Sequence, residues 1–223
     1  MPENLIAQNL IRLRAELPDG VSLIAVSKTH TADKIRLAYA AGQRDFAENR
    51  LQEALSKQAE LADLTDIRWH FIGHLQKNKA KKAIANFDWI HTIDSLALAQ
   101  KLNHYAENLE KTAKFCLQIK PLPDPQKSGW EIPEFLDQMT QLADCRYLKV
   151  QGLMTILPLG LTPPETKQAF LDVKALQQQL NKAGHFPFTL SELSMGMSGD
   201  YPLAVKAGST MIRLGRSIFG ARQ

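Results

Sequence analysis

The residues best equipped for chemistry fall just after short apolar runs. Lys28 caps the run Val21-Ser-Leu-Ile-Ala-Val26. An amine placed there is partly desolvated, which lowers its pKa and makes it a better carbonyl nucleophile. Taken alone, it also reads as a strand-end lysine reaching solvent. Ser194-Met-Gly-Met-Ser198-Gly-Asp200 puts small residues and hydroxyls before a helical segment. Backbone N–H groups in such a loop can cradle a phosphate. In Arg213-Leu-Gly215-Arg216 the glycine lets the neighbouring backbone approach closely. Each of these two loops, taken singly, also reads as ordinary turn chemistry.

Together an amine, a phosphate cradle and an arginine imply a phosphorylated aldehyde as ligand. Pyridoxal 5′-phosphate (PLP) is the obvious candidate and a sugar phosphate is the rival. If Arg213 faces the pyridine nitrogen, a fixed cation opposes a second positive charge and keeps that nitrogen unprotonated. The ring is then a weaker electron sink. The competing reading of Arg213 is a partner for a buried carboxylate.

Other chemistries have little support. His70 and His74 are four apart but straddle a strand end, so they lack the helical geometry of a metal pair. Cys116 and Cys145 belong to no CxxC or Cys/His cluster, so neither zinc nor a disulfide framework is expected. No GxSxG, Walker A or GxGxxG motif occurs. Lys77, Lys79, Lys81 and Lys82 read as a solvated helix face. Without interleaved aromatics they do not suggest nucleic-acid binding. The net charge of +4 suits an anionic small ligand. The N-terminus lacks the apolar core of a signal peptide. No stretch approaches the roughly 20 apolar residues of a membrane span. A cytoplasmic location is expected.

The elements that must position these residues alternate. A leading amphipathic helix is expected over Asn4–Leu17. Strands are expected over 21–26, 44–47, 68–72, 89–93, 114–119, 150–154, 192–195 and 210–214. Helices between them are expected from Thr31 or Asp33 to about Ala41 and over about 51–62, 76–85, 95–108, 132–142, 164–183 and 201–207, with Ser95 as an N-cap. Strict βα alternation implies a parallel sheet with right-handed crossovers. Eight units favour a closed (β/α)8 TIM barrel in one domain over residues 1–223, although seven or nine units also fit the pattern. In such a barrel the site lies at the C-terminal ends of the strands, with phosphate held after the seventh and eighth.

Ile24-Ala-Val-Ser-Lys28-Thr, Phe46-Ala-Glu-Asn49, Trp69-His-Phe-Ile-Gly-His-Leu-Gln-Lys-Asn78, Leu193-Ser-Met-Gly-Met-Ser198-Gly-Asp, Ile212-Arg-Leu-Gly215 and Ile218-Phe-Gly resemble the pyridoxal phosphate homeostasis protein family. The resemblance covers nearly the whole chain. It implies a fold-type III PLP barrel like the N-terminal domain of alanine racemase, without that enzyme's C-terminal β domain. Lys28 would be the Schiff-base lysine and Asn49 would lie beside the ring. Ser198 and the Gly215-Arg216 backbone would hold the phosphate, and Arg213 would face the ring nitrogen. Met154 and His70 would line the pocket. Gly199 stands where many members carry Asp, Ala or Glu. The implied role is vitamin B6 balance, and with it amino-acid and keto-acid balance, without robust turnover and with no catalytic residue assigned. The alternative is a small PLP enzyme such as a racemase. None of Tyr39, Tyr105, Tyr147 and Tyr201 has an evident claim to the second acid/base. A monomer is expected, with PLP-dependent apoenzymes or a regulatory protein as possible partners.

Overall fold

The structure is a computed structural model that describes residues 3–109, 113–184, 186 and 189–220, with side chains from residue 5 onward. The expected span of 1–223 therefore runs past the described residues at both ends. In chain order the elements are α1 (Glu3–Glu16), β1 (Ser22–Val26), α2 (Ala32–Ala40), β2 (Asp45–Glu48), α3 (Leu51–Glu60), β3 (Arg68–Phe71), α4 (Ala80–Asn86), β4 (Trp89–Ile93) and α5 (Leu96–Ala106). They continue as β5 (Lys114–Lys120), β6 (Trp130–Glu131), α6 (Ile132–Asp137), α7 (Met139–Ala143), β7 (Lys149–Met154), α8 (Pro163–Ala183), β8 (Glu192–Ser194), α9 (Tyr201–Lys206), β9 (Met211–Leu214) and α10 (Arg216–Phe219).

Eight parallel strands close into a barrel in the order β1-β2-β3-β4-β5-β7-β8-β9, with β9 pairing back onto β1. This is the (β/α)8 architecture expected from the alternation, and it settles the count at eight. β6 is an addition of two residues, paired with Ile119 and Lys120 beyond the ring. All five residues of β4 are buried, as suits a strand covered on both faces.

Two apolar clusters hold the barrel. The larger fills the layer between strands and helices, with Phe46, Phe71, Phe115 and Leu193 meeting Ile35, Leu98 and Phe170. The smaller comprises Ile24, Val26, Ala47, Trp89, Cys116, Met154 and Met211. These come from the strands' opposite faces and fill the barrel interior. Side chains two apart on a strand share a face. Asp45, His91 and Arg213 therefore point inward beside Ala47, Trp89 and Met211.

Several local expectations are corrected. The single helix expected over 132–142 is two helices, because the backbone leaves helical geometry at Gln138 (φ −95°, ψ 2°). The segment 77–79 is a single 3-10 turn rather than part of α4. Ser95 does occupy the N-cap position of α5, but it makes no side-chain cap, its hydroxyl instead donating to Asp94 Oδ1 at 3.4 Å. α8 starts with a full capping box, Thr162 with Glu165, and stops at Gly184 in the left-handed conformation. Among the described residues no helix is long and apolar enough to cross a membrane.

Candidate functional site

A cavity of about 560 Å³ opens at the C-terminal ends of the strands. Its walls include Lys28, Ser198, Gly199, Asp200, Arg213, Gly215 and Arg216, with Val26, Ile72, Ile156, Leu159 and Met197 as the apolar part. Five of the eight expected site residues thus meet in one place: Lys28, Ser198, Arg213, Gly215 and Arg216. Asn49, His70 and Met154 are not among its lining residues. Asn49 lines an adjoining cavity with Arg50, Glu53, His74 and Lys79. Met154 is fully buried in the interior cluster. His70 is also buried, stacked parallel to Trp89 with ring centroids 6.0 Å apart.

Lys28 is held from both flanks. Ser27 Oγ donates to Glu48 Oε1 (2.7 Å), and the Ser27 carbonyl accepts from Lys57 Nζ (2.9 Å). On the other side the Thr29 N–H donates to Glu53 Oε1 (2.6 Å). Lys57 reaches from α3 to bind both carboxylates, Glu48 Oε1 at 2.8 Å and Glu53 Oε1 at 2.7 Å. Thr29 has φ 67°, the only non-glycine residue with positive φ among those described. Burial pushes the Glu48 carboxyl pKa up against the pull of Lys57 and Ser27. Its Oε2 has no hydrogen-bond partner.

The opposite wall is backbone. Among the described residues, the N–H groups of Ser198, Gly199, Gly215 and Arg216 donate to no protein acceptor. The 196–200 loop is shaped by Asp200 Oδ1, which accepts the Met197 N–H at 2.5 Å, and by the Tyr201 N–H, which donates to the Met197 carbonyl at 2.8 Å. Gly196 (φ 96°) is required here, because a Cβ would sit 2.7 Å from Ala204 Cβ. At Gly199 a Cβ would meet nothing within 4 Å, so a larger residue would fit there.

Arg213 enters the cavity from the barrel interior. It is buried, donating through Nη1 to Ser194 Oγ (2.7 Å) and through Nη2 to the Thr155 carbonyl (2.8 Å). Its alternative reading as a direct partner of a carboxylate is not what is found. Desolvation lowers its pKa to about 10, with Asp200 opposing, so it is a cation at neutral pH. Behind Ser194 lies a run of polar contacts that sequence reasoning missed. Ser194 Oγ meets His91 Nδ1 (2.8 Å), His91 Nε2 meets His70 Nδ1 (2.9 Å), and His70 Nε2 meets Asp45 Oδ1 (3.1 Å). A polar residue inside Trp89-Ile-His-Thr-Ile93, on the face of Trp89, was the available signal for His91. Lys57, four residues after Glu53 on α3, was the signal for the cluster under Lys28.

Such a site can hold an anion on its backbone wall and present an amine and a buried cation to the rest of the same ligand. Residues 3–223 match the alanine racemase N-terminal domain family, which places the barrel and its rim in that class. The alanine racemase of Clostridium difficile shares the fold at 18% identity, with a TM-score of 0.78 over 98% of this chain and 57% of its own. Two nearer comparisons narrow the class. The pyridoxal phosphate homeostasis protein of Synechocystis sp. is 52% identical over 208 residues, 93% of this chain and 94% of its own. That of Escherichia coli K12 is 37% identical over 98% of this chain and 97% of its own. Solved structures of PipY from Synechococcus elongatus agree. The form without PLP is 51% identical with a TM-score of 0.92 over 96% of this chain and 100% of its own. The form with PLP bound is 50% identical, with a TM-score of 0.91 and the same coverage. The chain belongs to the pyridoxal phosphate homeostasis protein family.

Proposed function

We propose that this chain binds PLP in the cavity between Lys28 and the 198–199 and 215–216 backbone, and acts in vitamin B6 homeostasis rather than in amino-acid turnover. The observation that carries the reading is the shared cavity: an amine, four unclaimed N–H groups and a buried guanidinium face one space. PLP has a matching aldehyde, phosphate and ring nitrogen. The likeness to PipY, which has been solved with PLP bound, supports it.

When bound, PLP supplies an aldehyde that condenses with an amine and a ring that withdraws electrons. The chain's residues do the rest. Lys28 supplies the amine from a backbone pinned at Ser27 and Thr29. The N–H groups of Ser198, Gly199, Gly215 and Arg216 would hold the phosphate. Arg213 would oppose protonation of a ring nitrogen set against it. Among the described residues no tyrosine lines the cavity, and the Tyr201 hydroxyl turns away to Glu16 Oε2 at 2.8 Å. A site open to water, with no tyrosine among its described lining residues, suits binding and release better than protected carbanion chemistry. We read the chain as one barrel domain, monomeric and cytoplasmic, able to meet PLP-dependent apoenzymes or a regulatory protein.

The test is borohydride reduction of PLP-loaded protein followed by peptide mass spectrometry. The pyridoxyl mass should fall on Lys28 and vanish in Lys28→Ala. Labelling at another lysine would overturn the assignment. Lys28-dependent solvent-deuterium exchange into any amino acid at catalytic rates would replace the homeostasis role with a racemase-like enzyme.

A further inference from the structure

The polar run through the barrel has two ends whose roles chemistry fixes. Arg213 can only donate. Asp45, at the opposite end of the barrel, also binds Arg68 Nη2 through Oδ2 (2.6 Å). Burial pushes its carboxyl up, but hydrogen bonds from Arg68 and His70 hold it down at about 2, so it is ionised at neutral pH and can only accept.

Every hydrogen between these ends is then determined. Ser194 Oγ accepts from Arg213 and passes its own hydrogen to His91 Nδ1. His91 therefore carries its proton on Nε2 and donates to His70 Nδ1. His70 carries its proton on Nε2 and donates to Asp45. The reverse direction requires a charged His70. It would aim both the Arg213 and His91 N–H groups at Ser194 Oγ and leave the serine hydrogen without an acceptor. Ser194 is fully buried, so that orphan would be costly. Burial, with the Arg213 cation nearby, holds the His91 pKa well below its ordinary value, in keeping with a neutral ring.

We infer that Ser194, His91 and His70 are positioning residues for Arg213: they form a one-way hydrogen-bonded column, anchored at Asp45, that fixes the guanidinium presented to the cavity. Five strands contribute one residue each: β9, β8, β4, β3 and β2. The Thr155 carbonyl sets the second guanidinium contact, and the column sets the first. The column's effect on PLP rests on the function proposed above, whereas its hydrogen arrangement does not.

The experiment is therefore in two arms. The first is a long-range ¹⁵N–¹H spectrum of ¹⁵N-histidine protein without PLP at neutral pH. His70 and His91 should both be neutral, with the proton on Nε2. A charged His70, or His91 protonated on Nδ1, overturns the column. The second compares PLP binding and the visible spectrum of bound PLP in His91→Leu and His91→Gln. Leucine breaks the column and should weaken binding about tenfold and shift the absorbance, as for one buried polar contact left unmade. Glutamine can accept from Ser194 and donate to His70, so it should restore wild-type behaviour to within about twofold. Unchanged binding and spectrum in His91→Leu, or a glutamine variant no better than the leucine one, overturns the positioning role. If the leucine variant does not fold, the glutamine variant and the spectrum still decide. If PLP labels a residue other than Lys28 in the wild type, the proposed function falls while the histidine spectrum still judges the column.

Discussion

Lys57 Nζ lies 2.8 Å from Glu48 Oε1 beneath the loop that carries Lys28, and the two side chains are only 8% and 0% exposed. The ammonium is fully used, because Glu53 and the Ser27 carbonyl also accept from it. Such a pair adds little net stability over an apolar replacement of both partners. Removing one partner strands a buried charge. Lys57→Met should therefore destabilise the protein by about 3–5 kcal/mol. Adding Glu48→Gln should return about 1–3 kcal/mol of that, because the two sites are directly coupled. Urea denaturation of the single and double variants measures both. Additive effects would show that the two residues do not act as a pair.

Thr29 stands next to Lys28 with φ 67°. A β-branched residue in the left-handed region carries steric strain that asparagine largely avoids. Thr29→Asn keeps the backbone N–H that donates to Glu53, and it should raise stability by about 1 kcal/mol. Because the turn and its contact with Glu53 are kept, PLP trapping by borohydride on Lys28 should stay close to the wild-type rate. No gain in stability by urea denaturation would mean that Thr29 is not held in the left-handed conformation in solution.

The fold was largely legible because each barrel strand is a short apolar run followed by a helix, and this periodicity survives local error. What misled was tertiary in origin. Trp130-Glu131 is too short to register as a strand, and it pairs only because β5 extends beyond the ring. The 132–142 segment keeps a helical pattern across Gln138, where its backbone breaks. That Lys28, Ser198, Arg213, Gly215 and Arg216 would share one cavity was legible because they sit at strand ends or in small-residue loops. Asn49, His70 and Met154 were expected at the same cavity, but position along a strand does not reveal depth. His70 and Met154 lie within the barrel, and Asn49 opens onto the adjoining cavity. His91 and Ser194 went unseen because one polar residue in an apolar strand has no meaning until its partners on other strands are known.

Gly73 packs against the turn that carries Asn49. A Cβ there would lie 2.1 Å from the Asn49 carbonyl oxygen, and backbone cannot yield as a flexible side chain does. Gly73→Ala should cost about 1–3 kcal/mol as overpacking and displace the Asn49 turn. Gly199→Ala, with open space around the added methyl, serves as the control and should be near neutral. Equal stability of the two variants by thermal denaturation would mean that the close approach of Gly73 to Asn49 is not maintained in solution.

Asp45 gives the column a signature in acid. Its carboxyl is lowered from 3.8 to about 2 in the folded protein. Burial alone would raise it, but hydrogen bonds from Arg68 and His70, with the charge of Arg68, outweigh burial. A carboxyl with a depressed folded pKa contributes stability above its unfolded value, and that contribution is lost as pH falls through the folded value. A tenfold difference in proton affinity between the folded and unfolded chain corresponds to about 1.4 kcal/mol. The contribution of Asp45 is therefore roughly 2 kcal/mol, present at about pH 5 and gone near pH 2. Asp45→Asn cannot titrate, so its stability should fall less steeply across this range, and the wild-type advantage should shrink as pH drops. Urea midpoints for both proteins, taken at steps between about pH 5 and pH 2, measure the difference. Parallel curves would mean that Asp45 titrates alike in the folded and unfolded states, and the anchor of the column would be lost with it.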